Sequence, residues 1–465
     1  MNQIRIHPKV FISTCIGAVF VIHLFFPSPI PADQSVLIKN IIAYNLEALE
    51  KSIIDGSYRG EEGILRIRPE IGRSLGMKVF IDQDYLDSKE LFKKTKESLE
   101  EARMAMVSKR KEKFPGEYDQ KIAEHFLIFK KNTGSGKKKL KSYRSRLNAK
   151  VDERLNNVVS ARVMDKLLGE SLRKTDNKLR DALGHFYNMC QGVHGNNFPL
   201  TPGNVHFVNY AVHRFIGQTT EDTISMYDLD RDDGHIKGSS SHQWKSIASE
   251  ECPQFLPLLE AAFKKFGKSI YTVDPLLFIA LMKKESDFDP LAVSYVGAAG
   301  LTQIMPQTAK YLGMKVIYMP AYLKDARSFM QRERRAKRAA EDALFKIDEQ
   351  NGLTYARSAR ELMQLSLRLG QKREKLFSQY KRELLEKRTD NRLQPAQAIE
   401  YGLKYFARLM KVQRGDMSLA LASYNTGPSR VKRFNGLPPY DETVRYRNKV
   451  LEYYRDYLRK AKGNR

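Results

Sequence analysis

YTVDPLLFIALMKKESDFDP, residues 271–290, is the stretch on which the reading of this chain turns. Asp274 carries the short acceptor side chain of a helix N-cap, and Pro275 suits the first helical position, where no N–H is needed. Pro290 marks the helix as over, so Glu285 falls in or near its last turn. At 3.6 residues per turn Phe278, Leu281, Met282 and Glu285 share one face, while Lys283 and Lys284 point elsewhere. A carboxylate on an apolar face, at the negative end of a helix, is disfavoured as an anion. Its pKa is expected to rise, as a general acid near neutral pH requires. A Glu in such a place can also be a rim residue, so the neighbouring blocks decide.

The next block outward, VSYVGAAGLTQIMPQTA (293–309), has Gly297 and Gly300 for tight turns and close backbone approach. Pro306 then opens another helix through Leu312, with Gln303 and Met305 at its mouth, where they could line a groove. Further on, Pro395 starts a helix whose buried stripe is Ile399, Leu403, Phe406 and Met410. SLALASYNTGPSRV (418–431) reads as a short buried helix stopped at Gly427-Pro428. LPPYDETVRYRNKVL (437–451) leads into a terminal helix rich in Tyr.

Taken in order, these blocks resemble the lysozyme-like lytic transglycosylases of the soluble-lytic-transglycosylase type. The likeness covers Asp274–Gly313 and Leu393–Tyr457. The family's Glu-Ser pair matches Glu285-Ser286. Its Gly-x-x-Gly-Leu-Met-Gln-Ile-Met-Pro block matches Gly297–Pro306, with Thr302 in place of Met. Its Ala-Tyr-Asn-Ala-Gly block matches Ser423–Gly427. Its Pro-x-x-Glu-Thr-Arg-x-Tyr block matches Pro439, Glu442, Thr443 and Tyr446, with Val444 where Arg is common. The resemblance implies a helical catalytic domain that opens the bond between N-acetylmuramic acid and N-acetylglucosamine in peptidoglycan without water. Glu285 would be its single acid/base, first protonating the leaving oxygen and then taking the C6 hydroxyl proton to close a 1,6-anhydro ring. The substrate's acetamido group would stabilise the cation, so no second protein carboxylate is needed. Ser286 would orient the acid or the acetamido group, Gln303, Met305, Tyr424 and Asn425 would line the groove, and Glu442 with Tyr446 would buttress its far side. No cofactor or metal is implied. The rival readings are a non-catalytic peptidoglycan-binding or envelope-assembly module, and a goose-type lysozyme that uses water.

Around this core the sequence predicts a mainly α protein in four parts. Residues 1–32 form a signal anchor or signal peptide, because Arg5 and Lys9 precede the apolar run Val10–Phe26 and no convincing cleavage site follows. That makes the inner membrane a partner and the periplasmic side of a bacterial envelope the expected location, or secretion if the segment is cleaved. Residues 33–255 read as a separate helical region of unknown role. It holds helical periodicity over Val36–Ile54, a charge-laced helix over Ser88–Arg110, a turn-rich break at NTGSGKKK (132–139) and helical periodicity again over Val151–His185. No repeat of solenoid period is evident. The catalytic domain takes 256–318 and 391–465. Between them, 319–390 reads as a charged helical hairpin broken at Asn351-Gly352, with Leu362, Leu365, Leu369 and Leu376 as its apolar stripe. It is either a solvated elaboration or a surface for membrane, wall polymer or envelope protein partners.

Lys and Arg total 80 against 54 Asp and Glu, a formal net charge of +26. Such an excess suits polyanionic surroundings, but no aromatic-and-basic reading motif appears, so nucleic acid is not an expected partner. Three cysteines make no disulfide framework. Cys190 and Cys252 could pair in an exported chain or stay buried thiols. His185, Cys190 and His194 lack a fourth ligand at zinc spacing, and DLDRDDG (228–234) lacks the closing Glu of a calcium loop.

Overall fold

The computed structural model describes residues 32–108, 114, 116–193, 199–220, 241–266 and 273–463; they are mainly helical, with only isolated β-bridges. The apolar run at 10–26, the acidic turn at 228–234 and His194 lie outside them. Among the described residues no helix is long and apolar enough to cross a membrane. The helices are α1 (Ala32–Asp55), α2 (Pro69–Ser74), α3 (Gln83–Val107), α4 (Glu117–Ser145), α5 (Asn157–Lys174), α6 (Leu179–Gln191), α7 (Val205–Gln218), α8 (Ser241–Glu251) and α9 (Leu256–Phe266). They continue as α10 (Pro275–Ser286), α11 (Pro306–Leu312), α12 (Tyr322–Phe345), α13 (Gly352–Lys387), α14 (Pro395–Val412), α15 (Met417–Thr426), α16 (Pro428–Arg433) and α17 (Asp441–Gly463).

The chain divides into two compact units, but not at the boundaries the sequence suggested. One contains the chain through Phe80, Leu147–Asp287 and Gly402–Arg465; the other contains Ile81–Arg146 and Phe288–Tyr401. Residues 81–146 leave the N-terminal region because their hairpin, α3–α4, shares a core with the hairpin α12–α13. Met106, Ile122 and Phe126 from the first meet Leu344, Ile347, Ala356 and Met363 from the second. Leu362 packs against this cluster, so part of the hairpin's apolar stripe is used inside the chain. Arg103 bonds Glu341 at 2.9 Å, and Arg357 bonds Asp119 at 3.3 Å across the same interface.

The break expected at 132–139 is absent, since α4 runs through it. A Cβ at Gly136 would come within 2.9 Å of Phe92. The small residue is there to let two helices approach, and tertiary packing overrides its poor helix propensity.

Within the other unit α1 packs on α7, α5 on α6, and α10 and α15 on α17. Buried ion pairs replace part of its apolar core: Arg447 meets Asp181 at 2.8 Å, with both side chains almost wholly buried. Cys190 and Cys252 are not joined; each is a free, buried thiol, and burial pushes both up to about 12.

The chain also carries a long-period repeat that the sequence reading missed. YRGEEGILRIRPEIGRSLGMKVF (58–80) and YVGAAGLTQIMPQTAKYLGMKVI (295–317) agree at both loop glycines, the Ile-x-Pro step and the run LGMKV. Each precedes a helical hairpin, which is followed by DERLN (152–156) or DNRLQ (390–394). The geometry repeats as well. Arg154 donates from Nη1 to Gly60 O at 2.7 Å and Ile67 O at 3.0 Å, and Arg392 does so to Gly297 O at 3.0 Å and Ile304 O at 3.2 Å. Asp152 and Asp390 each pair with their arginine from full burial. Arg66 and Gln303 occupy the same loop position, with φ of 49° and 45°.

The two loops are built around carbonyls that leave no room for a side chain. A Cβ at Gly63 would lie 1.8 Å from Arg154 O, and one at Gly300 1.7 Å from Arg392 O. Gly63→Ala and Gly300→Ala should each cost more than about 3 kcal/mol through clash and left-handed strain. Gly313→Ala, with φ of 91° but open space around it, should cost about 1 kcal/mol. Equilibrium denaturation of the three variants checks the ranking.

Candidate active site

Helix α10 starts where the sequence places it: Asp274 Oδ1 accepts from Leu276 N at 2.8 Å, and Pro275 is the first helical residue. Its residues Leu276–Met282 are all buried. The helix is thus sheathed on nearly every side, and a distinct polar face appears only in the last turn, at Lys283 and Lys284. Asp287 ends it in the left-handed region, φ 50°, and pairs with Lys283 at 2.7 Å. An exposed carboxylate tied to a lysine in this way is a surface group.

Glu285 stands in that last turn, half-buried. Tyr446 Oη donates to its Oε1 at 2.7 Å. At the other end of the helix Tyr454 Oη donates to Asp274 Oδ2 at 3.0 Å. Helix α17 therefore fixes α10 at both ends, with the two running antiparallel. Burial pushes the Glu285 carboxyl up from 4.5 to about 7; the Tyr446 hydrogen bond and the Lys284 charge oppose the rise, and the Glu442 charge adds to it. Tyr446 is buried, and burial followed by the neighbouring Glu285 and Tyr424 holds its phenol well above the ordinary range, so it stays a donor. Lys284 Nζ lies 5.9 Å from the centroid of the Tyr446 ring.

The other expected site residues divide between the two units. Tyr424, half-buried on α15, packs its ring 5.3 Å from Tyr405 and 6.0 Å from Phe406. Asn425 Oδ1 accepts from Thr443 Oγ1 at 2.9 Å, which orients its amide. Ser286 donates its hydroxyl to Met282 O at 3.3 Å, back along its own helix. Glu442 is exposed in the first turn of α17. In the other unit, Gln303 Nε2 donates to Ala292 O and Gly300 O, both at 2.9 Å, and Met305 caps α11. The two departures from the family pattern are internal: Thr302 is buried and donates to Ala398 O at 2.9 Å, and Val444 is buried. His185 shares a hydrogen bond of 2.9 Å with Ser171.

Sequence reasoning put Tyr446 on the far side of a groove; in the structure it bonds Glu285 itself. Nothing in the spacing of residues 285 and 446 announces that contact. The two buried arginines, Arg154 and Arg392, were also missed, although the recurrence of Asp-x-Arg-Leu after each hairpin was there to be read.

A mainly helical scaffold that holds one carboxyl protonated near neutral pH, beside a phenol donor and a half-buried aromatic ring, has the equipment of a general acid acting on a polar polymer. Residues 263–329 and 356–441 match the family described as Transglycosylase SLT domain. Those two stretches are what this chain shares with that family. Among curated relatives, membrane-bound lytic murein transglycosylase C of Actinobacillus pleuropneumoniae is 43% identical over 56 residues, 12% of this chain and 14% of that protein. The protein of the same description from Haemophilus influenzae is 39% identical over 56 residues, with the same shares. The chain thus matches only a small part of these relatives' length. A lytic transglycosylase Slt from Pseudomonas aeruginosa, solved as an inactive mutant, is 13% identical over 98% of this chain and 83% of its own, with a TM-score of 0.27. That score supports no assignment of fold.

Because the folded pKa of Glu285 lies above its unfolded value, the folded chain keeps a proton that the unfolded chain has lost between pH 4.5 and about 7. This contribution to stability is complete below the lower value and lost as pH rises through the upper one. Glu285→Gln should therefore melt at a higher temperature than the native chain at pH 8, with the gap closing as pH falls towards 4.5. Tyr446→Phe removes a donor that favours the carboxylate, so the Glu285 carboxyl should titrate at higher pH in that variant; carbon-13 NMR of labelled glutamate reads the shift.

Proposed function

We propose that this chain cleaves the bond between N-acetylmuramic acid and N-acetylglucosamine in peptidoglycan, leaving 1,6-anhydromuramoyl ends, with Glu285 as the only acid/base. The observation that carries the reading is the raised pKa of Glu285 inside the stretch that matches the Transglycosylase SLT domain. With Tyr446 donating to Oε1, Oε2 is left to hold the acid proton and face the substrate.

In the first step Oε2–H protonates the glycosidic oxygen. The C1–O bond breaks, its electron pair goes to the leaving sugar, and the substrate's acetamido oxygen bonds to C1. In the second step the Glu285 carboxylate takes the proton from the C6 hydroxyl, O6 attacks C1, and the acetamido oxygen departs. No water is consumed, and Glu285 ends protonated. Tyr424 and Asn425, the latter fixed by Thr443, would hold the sugars, and Ser286 and Glu442 would flank them. The relatives' printed names and the basic, apolar N-terminus support a place in the bacterial envelope, on the periplasmic side of the inner membrane.

Incubated with purified sacculi, the native chain should release anhydro-ended fragments. Glu285→Gln should lower release at least about a thousandfold, the scale expected for a lost catalytic acid. Mass spectrometry separates the chemistries, because a hydrolase adds one water per cut. The rate should fall as pH rises through about 7. Hydrated ends would indicate a lysozyme, and unchanged release by Glu285→Gln would remove Glu285 from the mechanism.

A further inference from the structure

The repeat extends beyond its loops to the helices that frame the acid. Tyr446 is the sixth residue of α17 and Tyr210 the sixth of α7, counting from Asp441 and Val205. Helix α17 packs on α10, and α7 packs on α1. Where Tyr446 meets Glu285, Tyr210 meets Tyr44, with ring centroids 5.2 Å apart. Phe207 lies edge-on to Tyr44 at 5.2 Å and tilted to Tyr187 at 5.2 Å. Tyr187 is the ninth residue of α6, as Asn425 is of α15. The N-terminal half therefore repeats the frame of the site and puts a phenol where the other half has its carboxyl.

Charged groups of both signs reach this cluster: Arg66, with Glu47 beside Tyr44 and Glu61 beside Tyr187. Arg66 stands at the loop position of Gln303, and its charge lies close enough to Tyr44 and Tyr187 to favour ionisation of both phenols. Its Nε is buried and has no hydrogen-bond partner. A buried donor left without an acceptor is destabilising, so the site is short of one acceptor on that side. Arg214 sits over the Tyr210 ring, 5.0 Å from its centroid. Half-exposed aromatic faces bind sugar rings, and a guanidinium edge binds a carboxylate or an amide carbonyl.

We propose that Tyr44, Arg66, Tyr187 and Tyr210 form a second glycan site, one that binds an N-acetylated, carboxylate-bearing strand without cutting it. The choice of peptidoglycan as that strand rests on the function proposed above. Such a site would keep the enzyme on its polymer between cuts, by adding a second point of attachment on the same chain.

The test uses the full chain carrying Glu285→Gln, so that binding is measured without cleavage. Its co-sedimentation with purified sacculi is compared with that of the same chain also carrying Arg66→Gln, which copies the residue of the other loop, or Tyr44→Leu. Each added substitution should weaken binding about tenfold, with the melting temperature confirming that the fold is kept. If Tyr44→Leu fails to fold, Arg66→Gln alone decides. Binding unchanged by Arg66→Gln overturns the proposal. Cleavage of sacculi by the native chain is scored separately. A chain that cuts nothing yet loses sacculus binding with Arg66→Gln would refute the enzymatic reading and leave this site standing.

Discussion

A guanidinium sealed from water must give its N–H groups to acceptors inside the protein, and Arg392 does this by holding a loop closed. It spans Gly297 O and Ile304 O and is neutralised by Asp390 from the same short segment. Removing either charge would leave the other buried and unpaired, which costs far more than the pair itself contributes. The segment that carries the pair also fixes the chain on its return from the hairpin: Asn391 N donates to Val316 O at 2.8 Å. The same clamp, Arg154 with Asp152, closes the loop at Gly60 and Ile67. Each of the two loops is thus locked across its own ends.

A different constraint holds Glu285. Helix α10 is buried from Leu276 to Met282, and α17 ties both of its ends through tyrosine hydroxyls. Glu285 is consequently held where desolvation dominates its ionisation, and the opposing effects of Tyr446 and Lys284 only moderate the rise. A carboxyl poised in this way can both give and take a proton near neutrality, which a single-residue acid/base must do. In the N-terminal half, Tyr44 occupies the corresponding setting. Its phenol, pushed up to about 12 mainly by burial, holds its proton too firmly for that exchange.

What was legible in the sequence was local. The N-cap at Asp274, the proline at 275, the glycines at 297 and 300 and the interruption at Asn351-Gly352 each act within a few residues, and each stands where it was read. Glu285 was singled out because helix spacing and the matching blocks agreed on it. What escaped was tertiary. The glycines of 132–139 looked like a turn because their partner, Phe92, lies on another helix. Tyr446 could not be joined to Glu285 from spacing alone. The repeat was hidden by its length and by the hairpins that separate its matching pieces. The hairpins also moved the boundary: the core they share draws 81–146 away from the region to which the sequence assigned it.

The proton on Glu285 is the central claim, and isotope-edited infrared difference spectroscopy observes it directly. With glutamate carboxyl carbons labelled, the native spectrum minus that of Glu285→Gln at about pH 6 should contain the C=O band of one protonated carboxyl, fading as the pH passes about 7. A difference spectrum at that pH holding only carboxylate bands would contradict the account.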